Sequence, residues 1–232
     1  MFYIVFIVLP IVLVLGIAVV GRLEKRLVWP YGPMQERPPY PDASGYSIRW
    51  VREALQLGFV FLGWAPDAKG EKYKLTYGLL VSPERDCFVI VGVGTIMGLS
   101  MRGTWVYSVD RDGRAIYTTD NQSAIEVDVT RLWKSQLVRA KSFADLLQRH
   151  REMLRFSSFN AYRFTPGQEI AEFHRARQAH YEYLAKRGLI AYTDDTATCW
   201  QYTMWGALKF AALNYTIGMV RAVTFGRVFR LA

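Results

Sequence analysis

Few residues in this chain could do chemistry. There are three histidines, His150, His174 and His180, and two cysteines, Cys87 and Cys199. His174 and His180 are six apart, about 240° around a helix, so one helix cannot aim both at one metal ion. Glu169 and Glu172 share a helical surface, but neither stands in an E-x-x-H relation to His174 or His180, and no metal site is read there. His150 falls on an apolar stripe, as a packed histidine with a hydrogen-bond partner would. Cys199 and a histidine could serve as nucleophile and base, but no elbow motif or flanking signature accompanies the cysteine. Two cysteines are too few for a disulfide framework. Each opens an apolar run, which reads as a small buried hydrophobe.

The stretch VIVGVGTIMG (89–98) places three glycines after an apolar run. A dinucleotide loop needs G-x-G-x-x-G between a strand and a helix. Gly92 and Gly94 fit, but the third position is Met97, the last glycine is Gly98, and the residues beyond are β-rich. Asp112 lies where an acidic ribose ligand would, yet it belongs to the turn DRDG (110–113). A bulge or close backbone approach at a strand end is the simpler account, with a pocket mouth as the second. DRDG departs from a calcium loop at Arg114 and at Asn121, where glutamate is needed. RFSSFNAYRF (155–164) could stack bases, but reads more simply as a core-facing aromatic cluster. No catalytic residue, metal or cofactor is assigned, and nucleic acid is not an expected partner.

The chain has 232 residues, 51% hydrophobic and 21% charged, with a net charge of +9. That composition builds a packed core and excludes wholesale disorder. The basic excess belongs to the last third, which suits an anionic lipid, nucleic-acid or acidic protein partner.

Residues 1–21 carry no charged side chain, and the length matches the roughly 30 Å hydrocarbon layer. The expectation is an N-terminal transmembrane helix, with Phe2, Phe6, Val12 and Leu15 in contact with lipid and Pro10 tolerated mid-span. A cleaved signal peptide ending near Val19 and Gly21 is the rival, though no basic residue precedes the apolar core. Arg22, Lys25 and Arg26 after the span place the rest in the cytoplasm. The expected localisation is therefore the cell membrane, single-pass, with an extracytoplasmic domain as the alternative. Residues 22–46 hold Pro30, Pro33, Pro38, Pro39 and Pro41. They form either an extended rod or a segment lying flat on the domain.

Residues 47–195 read as an α+β domain. YSIRWVREALQLGF (46–59) reads as a helix with Ile48, Val51, Ala54 and Leu55 as its apolar stripe and Gly58 as its stop. β-type runs follow at 59–64, 73–82, 87–93, 104–109, 115–119 and 125–129. Turns are expected at SPERD (82–86) and DRDG, the latter with Gly113 at positive φ. Ser142 and Asp145 cap a helix whose stripe is Phe143, Leu146, Leu147, His150 and Leu154. Thr165, Pro166 and Gln168 start another, which Gly188 ends. The predicted fold is an antiparallel β-meander with helices on one face.

Residues 196–232 read as a C-terminal apolar and basic amphipathic helix. Trp200, Trp205, Phe210, Tyr215 and Phe225 would sit at a membrane interface, with Lys209, Arg221, Arg227 and Arg230 toward anionic headgroups. A second span, or a helix packed into the core or a partner, is the alternative. The functional expectation is a membrane-anchored binding or scaffold protein. Its partners would be the lipid bilayer and a membrane protein or second copy of the chain. A carrier or sensor of a lipid or apolar small molecule, and an enzyme of unrecognised class, are the alternatives.

Overall fold

The computed structural model describes residues 12, 14–16, 18–19, 22–42, 44–69, 73–96, 99–120 and 133–212. The chain divides into two compact units, one formed by Trp29–His180 and one by residues 1–28 with 181–232.

The first unit is built on a six-stranded sheet in sequential order: β2 (Val60–Pro66), β3 (Tyr73–Val81), β4 (Phe88–Ile96), β5 (Leu99–Val109), β6 (Ala115–Thr119) and β7 (Trp133–Leu137). β2 to β6 are antiparallel, as the tight turns require. β7 lies parallel to β6, with Ala115 opposite Trp133. The expected run at 125–129 lies outside the described residues.

The helices cover both faces of the sheet, which corrects the expectation of one. Leu79 to Val81 and Phe88 to Val91 are continuous apolar runs, each residue at most 1% exposed. Successive strand residues point to opposite faces, so a run apolar at every position needs a cover on both sides. Leu80, Val89, Val91, Val93 and Val106 face α1 (Tyr46–Gln56) and α2 (Phe143–Phe156). Leu79, Val81, Phe88, Ile90, Tyr107 and Val109 face Phe173 of α3 (Glu169–Lys186), where the Phe88 and Phe173 rings stack at 4.2 Å.

α1 shows how a stripe can be misjudged by one step. Ser47, Trp50, Val51 and Ala54 are the buried face, whereas Ile48 and Leu55 are 48% and 47% exposed. Tryptophan at position 50 contributes more apolar area than Ile48 and turns the helix toward itself. In α2, Ser142 Oγ accepts from the Asp145 N–H at 3.2 Å, and Asp145 Oδ2 accepts from the Lys141 N–H at 3.1 Å. Ser142→Ala is therefore expected to cost about 1 kcal/mol in urea denaturation.

The proline-rich segment lies flat along the domain. Gln35 and Trp64 exchange both backbone hydrogen bonds, and the Gly32 N–H donates to the Pro66 carbonyl at 2.8 Å. It thereby covers the β2 edge, where unpaired peptide groups would recruit other strands. Tyr40 N–H donates to Thr76 Oγ1 at 3.2 Å, which fixes the path of the segment into α1.

The second unit holds a three-stranded antiparallel sheet of β1 (Arg26–Leu27), β9 (Cys199–Tyr202) and β8 (Ile190–Tyr192), in that order. The Arg26 guanidinium lies over the rings of Trp200, Tyr202 and Phe210 at 5.5, 5.2 and 5.8 Å. Residues 204–212 are helical. The continuous helix expected over 196–232 is corrected by β9, and residues 213–232 lie outside the described residues.

Among the described residues no helix is long and apolar enough to cross a membrane. This overturns the expected N-terminal transmembrane helix and with it the single-pass membrane localisation. Of residues 1–21 only 12, 14–16 and 18–19 are described, and they are helical. Ala18 is 1% exposed, whereas Val12, Leu15 and Val19 are 57%, 49% and 50% exposed. Hydropathy counts apolar side chains without seeing that neighbouring protein can cover some of them.

Candidate functional site

The nucleophilic residues assemble inside the core. His150 is fully buried between two hydroxyls, Ser108 Oγ 3.0 Å from Nε2 and Thr118 Oγ1 3.0 Å from Nδ1. Cys87 Sγ lies 3.3 Å from Ser108 Oγ. Ser108 donates its one proton to the Asp86 carbonyl at 2.8 Å. Its oxygen is left to accept from His150 Nε2–H, while Thr118 Oγ1, beside Nδ1, also reaches Gln136 Oε1 at 3.3 Å. Burial pushes His150 down to about 3 and Cys87 up to about 12. Both stay neutral, and Ser108 has no proton left for a substrate. A thiol, a hydroxyl and an imidazole in line here form a satisfied polar strut.

The other expected chemistry is dispersed. Trp133 stacks on His180 at 4.5 Å and meets the Arg177 guanidinium at 6.0 Å, while His174 packs edge-on to Trp29 at 5.1 Å. Buried Glu169 pairs with Arg85, and Glu172 accepts from the backbone N–H and hydroxyl of Thr165. Cys199 is a β9 residue whose N–H donates to Asp194 Oδ1 at 2.7 Å. Among the described residues no group of three His, Cys, Asp or Glu could hold a metal ion. In the 155–164 stretch, Phe164 is core and Phe156 is 91% exposed.

A cleft of about 530 Å³ opens where the proline-rich segment meets the β4–β5 hairpin. Pro41, Asp42 and Ser44 form one wall. The hairpin supplies the other, with Val93, Gly94 and Thr95 from β4 and Ser100, Met101 and Arg102 from β5. Sheet register sets this wall, since Thr76, Val93 and Arg102 form one cross-strand row and Leu75, Gly94 and Met101 the next. The segment docks on the first row through Tyr40 and Thr76. Gly94 has φ +148°, and an added Cβ would overlap the Lys74 carbonyl oxygen. The glycine pattern thus marks a close backbone approach that also lines the cleft.

The polar groups around the cleft differ in how far they are satisfied. Asp42 Oδ1 accepts from the N–H and hydroxyl of Ser44, and Oδ2 from those of Ser47, at 2.6–3.0 Å. Partial burial opposes ionisation, but these four hydrogen bonds outweigh it and hold the carboxyl below its ordinary range. The Gly45 N–H goes to the Asp42 carbonyl and the Tyr46 N–H to Ser44 Oγ. The first amides of α1 are therefore already occupied.

Behind the cleft, Tyr46 Oη donates to Asp120 Oδ2 at 2.7 Å and lies 2.9 Å from Thr104 Oγ1. The Thr104 N–H closes the ring onto Asp120 Oδ1 at 2.6 Å. Burial raises both Tyr46 and Asp120, and the hydrogen bonds and Arg102 only partly relieve Asp120. Arg102 is exposed, with its guanidinium over the Tyr46 ring at 5.8 Å.

No protein-family model, no curated protein and no solved structure matches this chain. The functional reading therefore rests on this geometry.

The residues expected at a membrane surface fall in several environments. Trp200 is 4% exposed within β9, Phe210 is half-buried and stacked on Tyr202 at 5.0 Å, and Trp205 is 65% exposed. Phe2, Phe6, Tyr215, Arg221, Phe225, Arg227 and Arg230 lie outside the described residues. Asp42, Ser44, Arg102, Thr104 and Asp120 were not singled out by sequence. Only DASGYS (42–47) carried a signal, as the acidic and hydroxyl residues that open a helix. Thr104 and Asp120 are 58 and 74 residues from Tyr46, and no local pattern announces the pairing.

Proposed function

We propose that this chain is a binding protein and that a small molecule seats between Pro41, Asp42 and Ser44 on one side and strands β4 and β5 on the other. The observation that carries the reading is the cleft itself, about 530 Å³ with a wall of fixed sheet backbone. That volume falls within the usual range for small-molecule sites, roughly 300–1,000 Å³. The wall residues Val93, Gly94 and Thr95 pair with strands on both sides, so the shape is set before a ligand arrives. The rim favours a polar ligand over a lipid, because Ser44, Thr95, Ser100 and Arg102 all border the opening. The committed protons of Cys87, Ser108 and His150 support binding over catalysis at that cluster.

The test is a fragment screen of the full chain by ligand-observed NMR, repeated on Ser100→Trp. Ser100 is exposed at the hairpin, and an indole there fills the opening while leaving the core untouched. Fragments that bind the wild type should lose at least ten-fold in affinity with an unchanged thermal midpoint. Equal binding to both proteins, or no binding at millimolar concentration, defeats the proposal.

A further inference from the structure

Resting on that reading of the cleft, we infer that its ligand is an organic anion whose carboxylate or phosphate is held by Arg102. Among the described residues two charged side chains line the cleft, Asp42 and Arg102, and they stand in opposite conditions. Asp42 is satisfied by four hydrogen bonds from Ser44 and Ser47 and lies at the start of α1, where the helix dipole favours negative charge. It has little left to offer a ligand. The Arg102 guanidinium makes neither a hydrogen bond nor an ion pair among the described residues, and its contact is the face of Tyr46. Asp120 accepts its hydrogen bonds from Tyr46 and the Thr104 N–H and meets Arg102 through charge alone, without a hydrogen bond or ion pair to it among the described residues.

A guanidinium presents up to five N–H donors in a planar fork, which matches two oxygens of a carboxylate or phosphate. The Tyr46 ring lies under the guanidinium at 5.8 Å, where its face attracts the cation. Tyr46 is itself fixed by Asp120 and Thr104, so the ring does not yield when a ligand arrives. Val93 and Pro41 border the cleft on its apolar side, and the Thr95 and Ser100 hydroxyls lie at the rim. The α1 N-terminus does not act as a second anion site, because its first amides are bound to Asp42 and Ser44.

The experiment titrates the full chain at pH 7 with benzoate, phenyl phosphate, benzyl alcohol and benzylamine, following amide shifts of residues 93–95 and 100–102. The two anions should bind at least ten-fold more tightly than benzyl alcohol, and benzylamine most weakly. Arg102→Gln should erase that advantage and leave the weak alcohol binding intact. Arg102→Lys should restore part of it, since the charge returns without the fork. Benzoate and phenyl phosphate binding alike points to the shared anion, and a preference for either names the source. Suppose benzyl alcohol or benzylamine equals benzoate, or Arg102→Gln leaves the anion preference in place. The assignment of an anion then fails while the cleft stands as a binding site. If none of the four probes binds, or Ser100→Trp leaves their binding unchanged, the cleft reading fails and takes this one with it.

Discussion

Gly94→Ala is expected to destabilise the first unit by more than about 4 kcal/mol, enough to prevent most of the chain from folding at 37 °C. The reason is backbone against backbone. Gly94 has φ +148°, which L side chains rarely adopt. Its added Cβ would overlap the Lys74 carbonyl oxygen and lie 2.8 Å from Leu75 Cα. Neither atom belongs to a flexible side chain. Leu75 is the β3 partner of Gly94, so relief requires moving β3, and β3 pairs with β2 as well. Gly92→Ala is the matched control. There the new methyl meets the rings of Trp105 and Tyr77 at 3.0–3.2 Å, and rings can shift by a few tenths of an ångström. A cost of about 1–2 kcal/mol is expected. Urea denaturation and soluble yield of the two variants decide the matter, and equal stability of both would overturn the steric account.

Much of the first unit was legible because its elements carry local punctuation. Ser142 with Asp145, Gly113 in DRDG, and Pro83 with the Arg85-to-Ser82 turn bond each fix a boundary by chemistry confined to a few residues. The strands followed from apolar runs. Their two-sided burial was also written in those runs, since Leu79 to Val81 and Phe88 to Val91 have no polar alternation, yet only the tertiary structure says which helix covers which side. β7 was missed because WKSQL has neither alternation nor a β-branched residue, and its parallel pairing with β6 supplies the strand. The opening apolar segment misled for a different reason. Its composition fits lipid and protein equally well, and hydropathy has no term for Ala18 being covered.

The candidate site was less legible than the fold. Gly94 could be singled out as a close backbone approach, because glycine within a strand has few other uses. Arg102 could not, because a lone arginine in a β-rich stretch resembles any solvated strand residue. What distinguishes it is that, among the described residues, it has no hydrogen-bonding partner beside a satisfied Asp42, and that the ring of Tyr46 lies under its guanidinium. Both follow from the row that sets Thr76, Val93 and Arg102 side by side, which is a property of sheet register and not of sequence spacing.

Acid should unfold the first unit through its histidines well before its carboxylates titrate. His150 and His180 are each pushed down to about 3 by burial, His180 also by Arg177 and His150 also by Arg151, with Asp86 opposing at His150. In the unfolded chain both return to about 6.5. A base with a depressed folded pKa binds more protons when unfolded, so its contribution is full above about 7 and is lost as pH falls toward 3. At pH 5 each histidine removes about 2 kcal/mol, or about 4 kcal/mol together, a large fraction of the stability of a small domain. Asp42 and Glu172 have lowered values, so their shares survive to the carboxylate range and disappear below it. Asp120 is raised and acts in the opposite sense, gaining as pH falls. The steep loss between pH 7 and 5 therefore belongs to the imidazoles, chiefly His150 and His180, with His174, also lowered by burial and by Arg177, acting in the same sense. Urea midpoints at pH 7.5, 6 and 5 should report uptake of about two protons by His150 and His180 on unfolding at the acid end, besides the share of His174, and His150→Gln should lower the total by about one. Its neutral amide can still bond Ser108 or Thr118, so the variant changes the pH slope more than the neutral-pH stability. Midpoints that stay constant from pH 7.5 to 5, with imidazole resonances titrating near 6.5 in the folded protein, would show that neither ring is held neutral by the core.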